Sequence, residues 1–479
     1  MLNEGRARPP PSASFNLQHS TINKYGNGVS VARLLVEEFE SAPSITNIFE
    51  ATGGLAGRVL LEDVEGGTAL IGARPMRILT ATAGSNDPLA LLEAELAPFS
   101  GENGRMDIPF CGGAIGFFSY DLGRSIESLP SIAITDVPTP DYCFGLYDSA
   151  LWVDLGKRRC LAVSWSGNRE AIAFWKQLAL AAPESEGLPD MVPPPDTRSL
   201  PDVRGNFTKA GYLDSIRTIR DYIAAGDVYQ VNLTQRFESE IECSPWALYK
   251  ALRRVNPAPK SCYMELGGLV LASASPETFI TFDPATRIAR TRPIKGTRPR
   301  DADPVTDARL EAELAASEKD RAENLMIVDM ERNDLGRVAE YGSVSVPELW
   351  AIEKHPNVFQ MVSTVECRVA GQYGPVDILR ATFPGGSITG APKIRAMEII
   401  EELEPQRRGI YTGSAGFIDF AGRMDLSIVI RSFVIHGRTA YLHGGGGIVI
   451  DSDPEMEYQE TLDKISGLRA ALWECGGKR

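Results

Sequence analysis

Two pairs of acidic residues, one lysine in a tight turn and two glycine-rich stretches are the residues of this chain best suited to chemistry. Asp320 and Glu323 stand three apart in Lys319-Asp320-Arg321-Ala322-Glu323, and Glu457 and Glu460 repeat that spacing near the C-terminus. Residues three apart share a helix face. Two such faces meeting would present four hard oxygen ligands. With 4 histidines in the chain and no CxxC pair, that donor set suits Mg2+ rather than zinc. The same spacing also occurs on solvated helix faces. Lys295 lies in Pro293-Ile294-Lys295-Gly296-Thr297-Arg298-Pro299. Held out of water there, a lysine sheds its proton and serves as nucleophile or base; left in water it is a basic loop residue. Pro384-Gly385-Gly386-Ser387-Ile388-Thr389-Gly390 leads into a helical stretch, and His443-Gly444-Gly445-Gly446-Gly447 follows a strand. Bare backbone amides in such places bind carboxylates and other anions, although tight turns are the alternative. Neither stretch has the spacing of a P-loop or a dinucleotide fingerprint.

The elements that position these residues follow from periodicity. Tyr212, Ile216, Ile219 and Ile223 form one apolar stripe after Thr208, and Gly226 is the expected helix stop. Tyr229, Val231 and Leu233 alternate with Gln230, Asn232 and Thr234, a strand whose polar face meets solvent or lines a cavity. Further strands are expected at 269–274, 415–420, 427–435 and 439–442, and helices at 304–334, 391–403 and 454–472. Ser452 and Glu455 have the spacing of a capping box for the last helix. The N-terminal part reads as short strands with glycine turns, at 58–61, 68–72 and 112–118.

The chain has 479 residues, 43% hydrophobic and 23% charged, which is globular with material for a large core. A net charge of -14 argues against a nucleic-acid partner. The seven cysteines, at 111, 143, 160, 243, 262, 367 and 475, are scattered and odd in number, as in a reduced, cytoplasmic chain. Residues 1–14 are polar and proline-rich, a disordered tail rather than a signal peptide. No apolar run is long enough to span a membrane. The prolines at 183, 189, 193–195 and 201 mark a linker over 183–206, between an N-terminal region at 15–182 and a catalytic region at 207–475.

From Phe207 to Leu472 these segments resemble the chorismate-utilising enzymes. The likeness rests on Gly226-Asp227-Val228-Tyr229-Gln230-Val231-Asn232-Leu233, Ser275-Pro276-Glu277-Thr278-Phe279, the Lys295 turn, 320–337, Ser387 to Lys393, Arg408-Gly409-Ile410-Tyr411-Thr412-Gly413, Ile430-Arg431 and 445–454. It implies an α/β (α+β) fold like that of anthranilate synthase component I, a sandwich of two packed β-sheets with helices outside. The members that add water to chorismate carry a lysine base where this chain has Gln230, and the anthranilate synthases carry alanine where it has Lys295. The resemblance therefore implies amination of chorismate at C4 to 4-amino-4-deoxychorismate, which serves p-aminobenzoate and folate synthesis. The ammonia would come from a separate glutamine amidotransferase subunit, because no glutaminase is visible in the chain.

The resemblance also implies roles. Glu323 and Glu460 would hold Mg2+, with Asp320 and Glu457 behind. Glu277 would be the general acid and Lys295 the nucleophile. Tyr411, Arg431, Lys464, Ser387, Thr297 and the amides of Gly445, Gly446 and Gly447 would bind the substrate. Gln360 stands where the family often has histidine. A tryptophan pocket would involve Ala51, Pro259, Lys260 and Ser261. Two rivals remain: anthranilate synthase component I, and a non-catalytic chorismate-binding or glutaminase-docking subunit.

Overall fold

Alternating and continuous apolar runs pair into two antiparallel sheets in the computed structural model, which describes residues 34–82, 87–99, 107–185, 187 and 200–476. Among the described residues one sheet has twelve strands and the other ten. Each takes strands from either side of 183–206. In the larger, Val59–Asp63 pairs with Lys260–Leu266; in the smaller, Gly113–Phe118 pairs with Ser414–Asp419. The chain is thus sewn together across the expected linker, most of which lies outside the described residues, as does the expected tail at 1–14. Strands of both sheets line one large cavity, where the sheets face each other.

Helices cover the outer faces. Tyr212, Ile216 and Ile219 of the helix Lys209–Ala225 pack on Val231 and Leu233 of the strand Gln230–Glu240, together with Ala396, Ile399 and Ile400. Each fully buried isoleucine contributes roughly 1.5–3 kcal/mol. The N-cap Thr208 and a left-handed Gly226 end this helix where the sequence places them. The helix Glu318–Gly336 lies against the strand Val358–Arg368 of the smaller sheet.

Several expected elements are divided. The helix expected at 304–334 breaks at Ser317, whose hydroxyl caps the amide of Asp320 and starts a second helix. The strand expected at 427–435 breaks between Ile428 and Ser432, and Arg431 there has φ 52. The last helix breaks at Ile465. Its cap is Asp453, not Ser452, whose hydroxyl donates instead to Glu457. The glycines at 444–447 are not a loop. They belong to the strand Thr439–Ile448 and pair with Gln230–Glu240. A Cβ at Gly444 would stand 2.4 Å from the Thr461 carbonyl oxygen, so the close approach explains the glycine. Cys243 and Cys475 form a disulfide, contrary to the expectation of seven reduced thiols, because the helices Pro245–Val255 and Ser466–Cys475 pack together and bring them within reach. The other five cysteines are free and buried.

Candidate active site

The strand Ile294–Pro299 pairs with Val358–Arg368, but its register shifts between Ile294 and Thr297. Lys295 and Gly296 sit in that irregularity, which re-aims side chains as a bulge does. Gly296 has φ +84, and a Cβ on it would lie 2.8 Å from Asp320 Cγ. Only glycine lets this strand lie so close to the helix Glu318–Gly336. Lys295 is thereby half-buried, with Glu323, Lys464, Glu277 and Glu460 as its charged neighbours. No hydrogen bond or ion pair holds its amine among the described residues. Burial lowers its pKa, helped by the like charge of Lys464 and opposed by Glu323, Glu277 and Glu460.

Glu277 lies between the strands Leu269–Ser275 and Thr278–Asp283 and is 6% exposed. Its amide donates to Ser275, and its carboxylate accepts a hydrogen bond from Ser387. Burial pushes its pKa from the ordinary 4.5 up to about 7, against the opposing pull of Ser387 and Lys295. A buried carboxyl that keeps its proton near neutrality beside an amine that readily gives its proton up is a matched acid and nucleophile.

The two acidic faces meet around the same lysine. Burial raises the pKa of Glu323, with Asp320 and Glu460 adding to the effect and Lys295 opposing it. Burial also works against ionisation of Glu460, but Lys464, 2.6 Å away, and Lys295 hold its pKa below the ordinary value. Gly446 is pressed against this pair of helix residues: a Cβ there would stand 3.2 Å from Glu457 Oε2 and 3.3 Å from Glu460 Oε1. Asp320 is engaged by Arg298 at 3.3 Å, and Glu457 accepts from Ser452 at 2.6 Å. Among the described residues no three acidic, histidine or cysteine side chains form a preassembled metal cage. Mg2+ commonly takes one or two carboxylates and completes its shell with water and substrate. The facing Glu323 and Glu460 fit that requirement.

The candidate anion-binding groups are Arg431, Tyr411 and Lys464. The left-handed backbone at Arg431 projects a guanidinium that has no hydrogen-bond or ion-pair partner among the described residues. Burial lowers its pKa and the nearby Tyr411 opposes this. Tyr411 is buried and stacks on His443, with ring centroids 4.3 Å apart at 5°. Lys464 donates to the Gly445 carbonyl at 2.7 Å, so Gly445 is held by its oxygen. Arg431, Thr297, Gln360 and Pro276 share a small cavity of about 50 Å³. Gln230 and Gln360 each bury a side-chain oxygen with no partner among the described residues.

Lys295, Glu277, Ser387, Glu323, Glu460 and Lys464 therefore come together in one cluster, with Glu457 and Gly446 packed against it. Thr297 is exposed and lines the small cavity it shares with Arg431. The residues assigned to a tryptophan pocket do not all meet. Pro259, Lys260 and Ser261 line a cavity of about 840 Å³ between the sheets, where Lys260 pairs with Asp425 at 2.7 Å. Ala51 is exposed at the end of the helix Ile45–Ala51 and is not part of that lining, because the strand that faces Lys260 is Val59–Asp63. Sequence reading passes over Glu331 and takes His443 only as the start of a glycine-rich stretch. Glu331 is buried near Glu277, and Thr291 donates to it at 3.0 Å. Its signal is a polar residue on the stripe 320, 324, 327, 331, 334, where a core-facing helix would carry an apolar one.

The chorismate binding enzyme family matches residues 56–470. A curated relative from Escherichia coli (strain K12), named aminodeoxychorismate synthase component 1, is 44% identical over 82% of this chain and 84% of its own length. A relative from Haloarcula marismortui, named anthranilate synthase component 1 1, is 43% identical over 78% of this chain and 79% of its own. Among solved structures, anthranilate synthase component I from Streptococcus pneumoniae TIGR4 aligns with a TM-score of 0.73 at 31% identity, covering 84% of this chain and 92% of that one.

Proposed function

Since the chain belongs to the chorismate binding enzymes, we propose that it aminates chorismate at C4 to 4-amino-4-deoxychorismate, a precursor of p-aminobenzoate and folate. Overall identity does not separate this reading from anthranilate synthesis, because relatives of both names stand near 44%. The observation that carries it is Lys295: an amine with no hydrogen-bond or ion-pair partner among the described residues, of lowered pKa, near Glu277, whose pKa is pushed up to about 7. An alanine there would leave no nucleophile in this cluster.

In this mechanism Arg431 and Lys464 hold the carboxylates of chorismate, with Tyr411, Ser387, Thr297 and the chain at Gly445, Gly446 and Gly447 shaping the pocket. Glu323 and Glu460 would hold Mg2+, with Asp320 and Glu457 behind them. The ion supplies, when bound, positive charge against the ring carboxylate. The neutral amine of Lys295 attacks C2, the ring electrons shift, and the C4–oxygen bond breaks. Glu277 gives its proton to the departing hydroxyl, which leaves as water. Ammonia then attacks C4, the electrons return, and the C2–nitrogen bond breaks to release Lys295 as a neutral amine. The ammonium formed at C4 returns one proton to Glu277. Gln230 disfavours water addition, since an amide cannot serve as the base.

The name "component 1" carried by several relatives suggests a second component. We assign that role to a separate glutaminase that supplies ammonia. A cytoplasmic location is part of the same proposal; five of the cysteines are free and buried, and Cys243 and Cys475 form the disulfide. The test is a product assay with chorismate, magnesium chloride and ammonium chloride, resolved by chromatography. The expected product is 4-amino-4-deoxychorismate without release of pyruvate. Anthranilate with pyruvate would establish the rival enzyme, and unchanged chorismate the non-catalytic subunit. Glutamine alone should give no product until a glutaminase is added.

A further inference from the structure

The ring of Tyr411 is not aimed by a helix or a strand. Tyr411 lies in a turn between Gly409 and Thr412, which have φ 60 and φ 58. The Thr412 amide donates to the Val429 carbonyl at 2.7 Å, and the Gly413 amide to the Ile410 carbonyl at 3.0 Å. Such bonds fix the backbone and leave the direction of the side chain to its neighbours. The phenol hydroxyl makes no hydrogen bond among the described residues and is not sealed from water. The ring itself is buried, and the one ring stacked on it among the described residues is His443, with centroids 4.3 Å apart at 5°.

His443, by contrast, is firmly set. It belongs to the strand Thr439–Ile448, which pairs with Gln230–Glu240 along its whole length, and it stands opposite Arg236. Two positions on, on the same face of the strand, is Gly445, whose carbonyl accepts from Lys464. Beside the stack lies a cavity of about 100 Å³. His443 is part of its wall and Tyr411 is not. One side of the imidazole is therefore taken by the phenol ring, and the rest of it faces that space. Three carboxylates, of Asp121, Asp136 and Asp141, and three guanidiniums, of Arg236, Arg407 and Arg408, line the same cavity. Burial and the neighbouring Arg236 and Arg408 keep the imidazole neutral. A neutral imidazole suits both surroundings: a flat face for stacking, and ring nitrogens for a polar space. Without it, the phenol ring has room to fall back.

We propose that His443 is a positioning residue for substrate binding: its imidazole backs the Tyr411 ring and holds the phenol hydroxyl where a carboxylate of chorismate can accept from it. The inference rests on the reading above, in which Tyr411 belongs to the substrate pocket. On this reading His443 acts through Tyr411 and not on the substrate directly. A stacked pair of rings fixes an angle as well as a distance. A donor already oriented in the free protein binds better than one that must be ordered on binding, because its rotamer freedom is lost on folding. Tyr411 remains a donor at any working pH, since burial pushes its pKa up to about 12. The support comes from a paired strand, which holds a site more precisely than a turn can hold itself.

The test is the dissociation constant for chorismate, measured by calorimetry on the full-length protein with magnesium chloride and without ammonium. His443→Leu fills the position without a flat face and should weaken binding roughly 3- to 10-fold, the loss expected when one aromatic pair that orients a hydrogen bond is removed. His443→Phe restores a flat ring, for which the cavity leaves room, and should bind within about twofold of the parent. Tyr411→Phe should weaken binding, and His443→Leu added to it should cost nothing more, because residues that act as a unit are not additive. If leucine does not fold at 443, His443→Ala gives the same comparison. Leucine and phenylalanine alike in effect, or losses from His443→Leu and Tyr411→Phe that simply add, would overturn the proposal and leave His443 a packing residue. Tyr411→Phe that binds chorismate as the parent does would overturn it by another route, taking Tyr411 out of the pocket. A parent that binds chorismate without aminating it fails the amination reading, while the binding comparison still decides the role of His443.

Discussion

Replacing Glu277 by glutamine should stabilise the folded protein above neutral pH while removing most of its turnover. The carboxyl is buried, and its pKa rises from 4.5 to about 7 on folding. Below pH 4.5 it is protonated whether the chain is folded or not, and it imposes no penalty. Between 4.5 and about 7 the unfolded chain releases the proton while the folded chain keeps it. Folding stability then falls by about 1.4 kcal/mol per pH unit. Above about 7 both states are ionised and the cost levels off at roughly 3 kcal/mol. Glutamine keeps the shape and removes the titration. Urea denaturation of parent and variant should therefore show a gain of roughly 3 kcal/mol for Glu277→Gln at pH 8 and less than about 1 kcal/mol at pH 5. Turnover should drop by about 10²–10⁴, the usual share of general acid catalysis. The parent's rate should decline as pH rises through about 7. A variant no more stabilised at pH 8 than at pH 5, or one that turns over at the parent's rate, would refute both the buried-acid reading and the role built on it.

Lys295→Ala should fold normally yet lose most C4 amination, and the parent mixed with chorismate and quenched should carry a substrate-sized mass adduct on Lys295; near-normal turnover of the variant with ammonium would reduce Lys295 to electrostatic support. Glu323→Gln and Glu460→Gln should each weaken magnesium binding measured calorimetrically in the presence of chorismate, since a hard-cation site loses both charge and geometry; unchanged binding in both would return these carboxylates to a solvated helix face. Arg431→Gln should raise the KM for chorismate roughly 10- to 100-fold, as expected for one charged hydrogen bond to a carboxylate, with little change in folding because the guanidinium has no partner to lose among the described residues; an unchanged KM would remove it from the substrate pocket.

Features that depend on neighbours a few positions away are legible in the sequence. The stripe from Tyr212 to Ile219, the Thr208 cap and the Gly226 stop make the helix Lys209–Ala225 readable, because helix spacing and end chemistry are local. The same locality puts Asp320 with Glu323, and Glu457 with Glu460, on single helix faces. The turn glycine at 296 marks Lys295 as a candidate from its own segment, whereas Glu277 becomes one only through the resemblance to the family. Local signals fail where a neighbour far along the chain decides. The glycines at 444–447 read as a loop, yet they form a strand because Gln230–Glu240 and the Thr461 backbone press against them. The strand expected at 427–435 breaks at a left-handed Arg431, which lines the small cavity with Thr297 and Gln360. It takes the closing of both sheets to put Glu277, Lys295, Glu323 and Glu460 into one field, and the packing of two distant helices to pair Cys243 with Cys475. The reason is physical: a pKa shift or a free guanidinium arises from burial and from charges across space, and no single segment carries either.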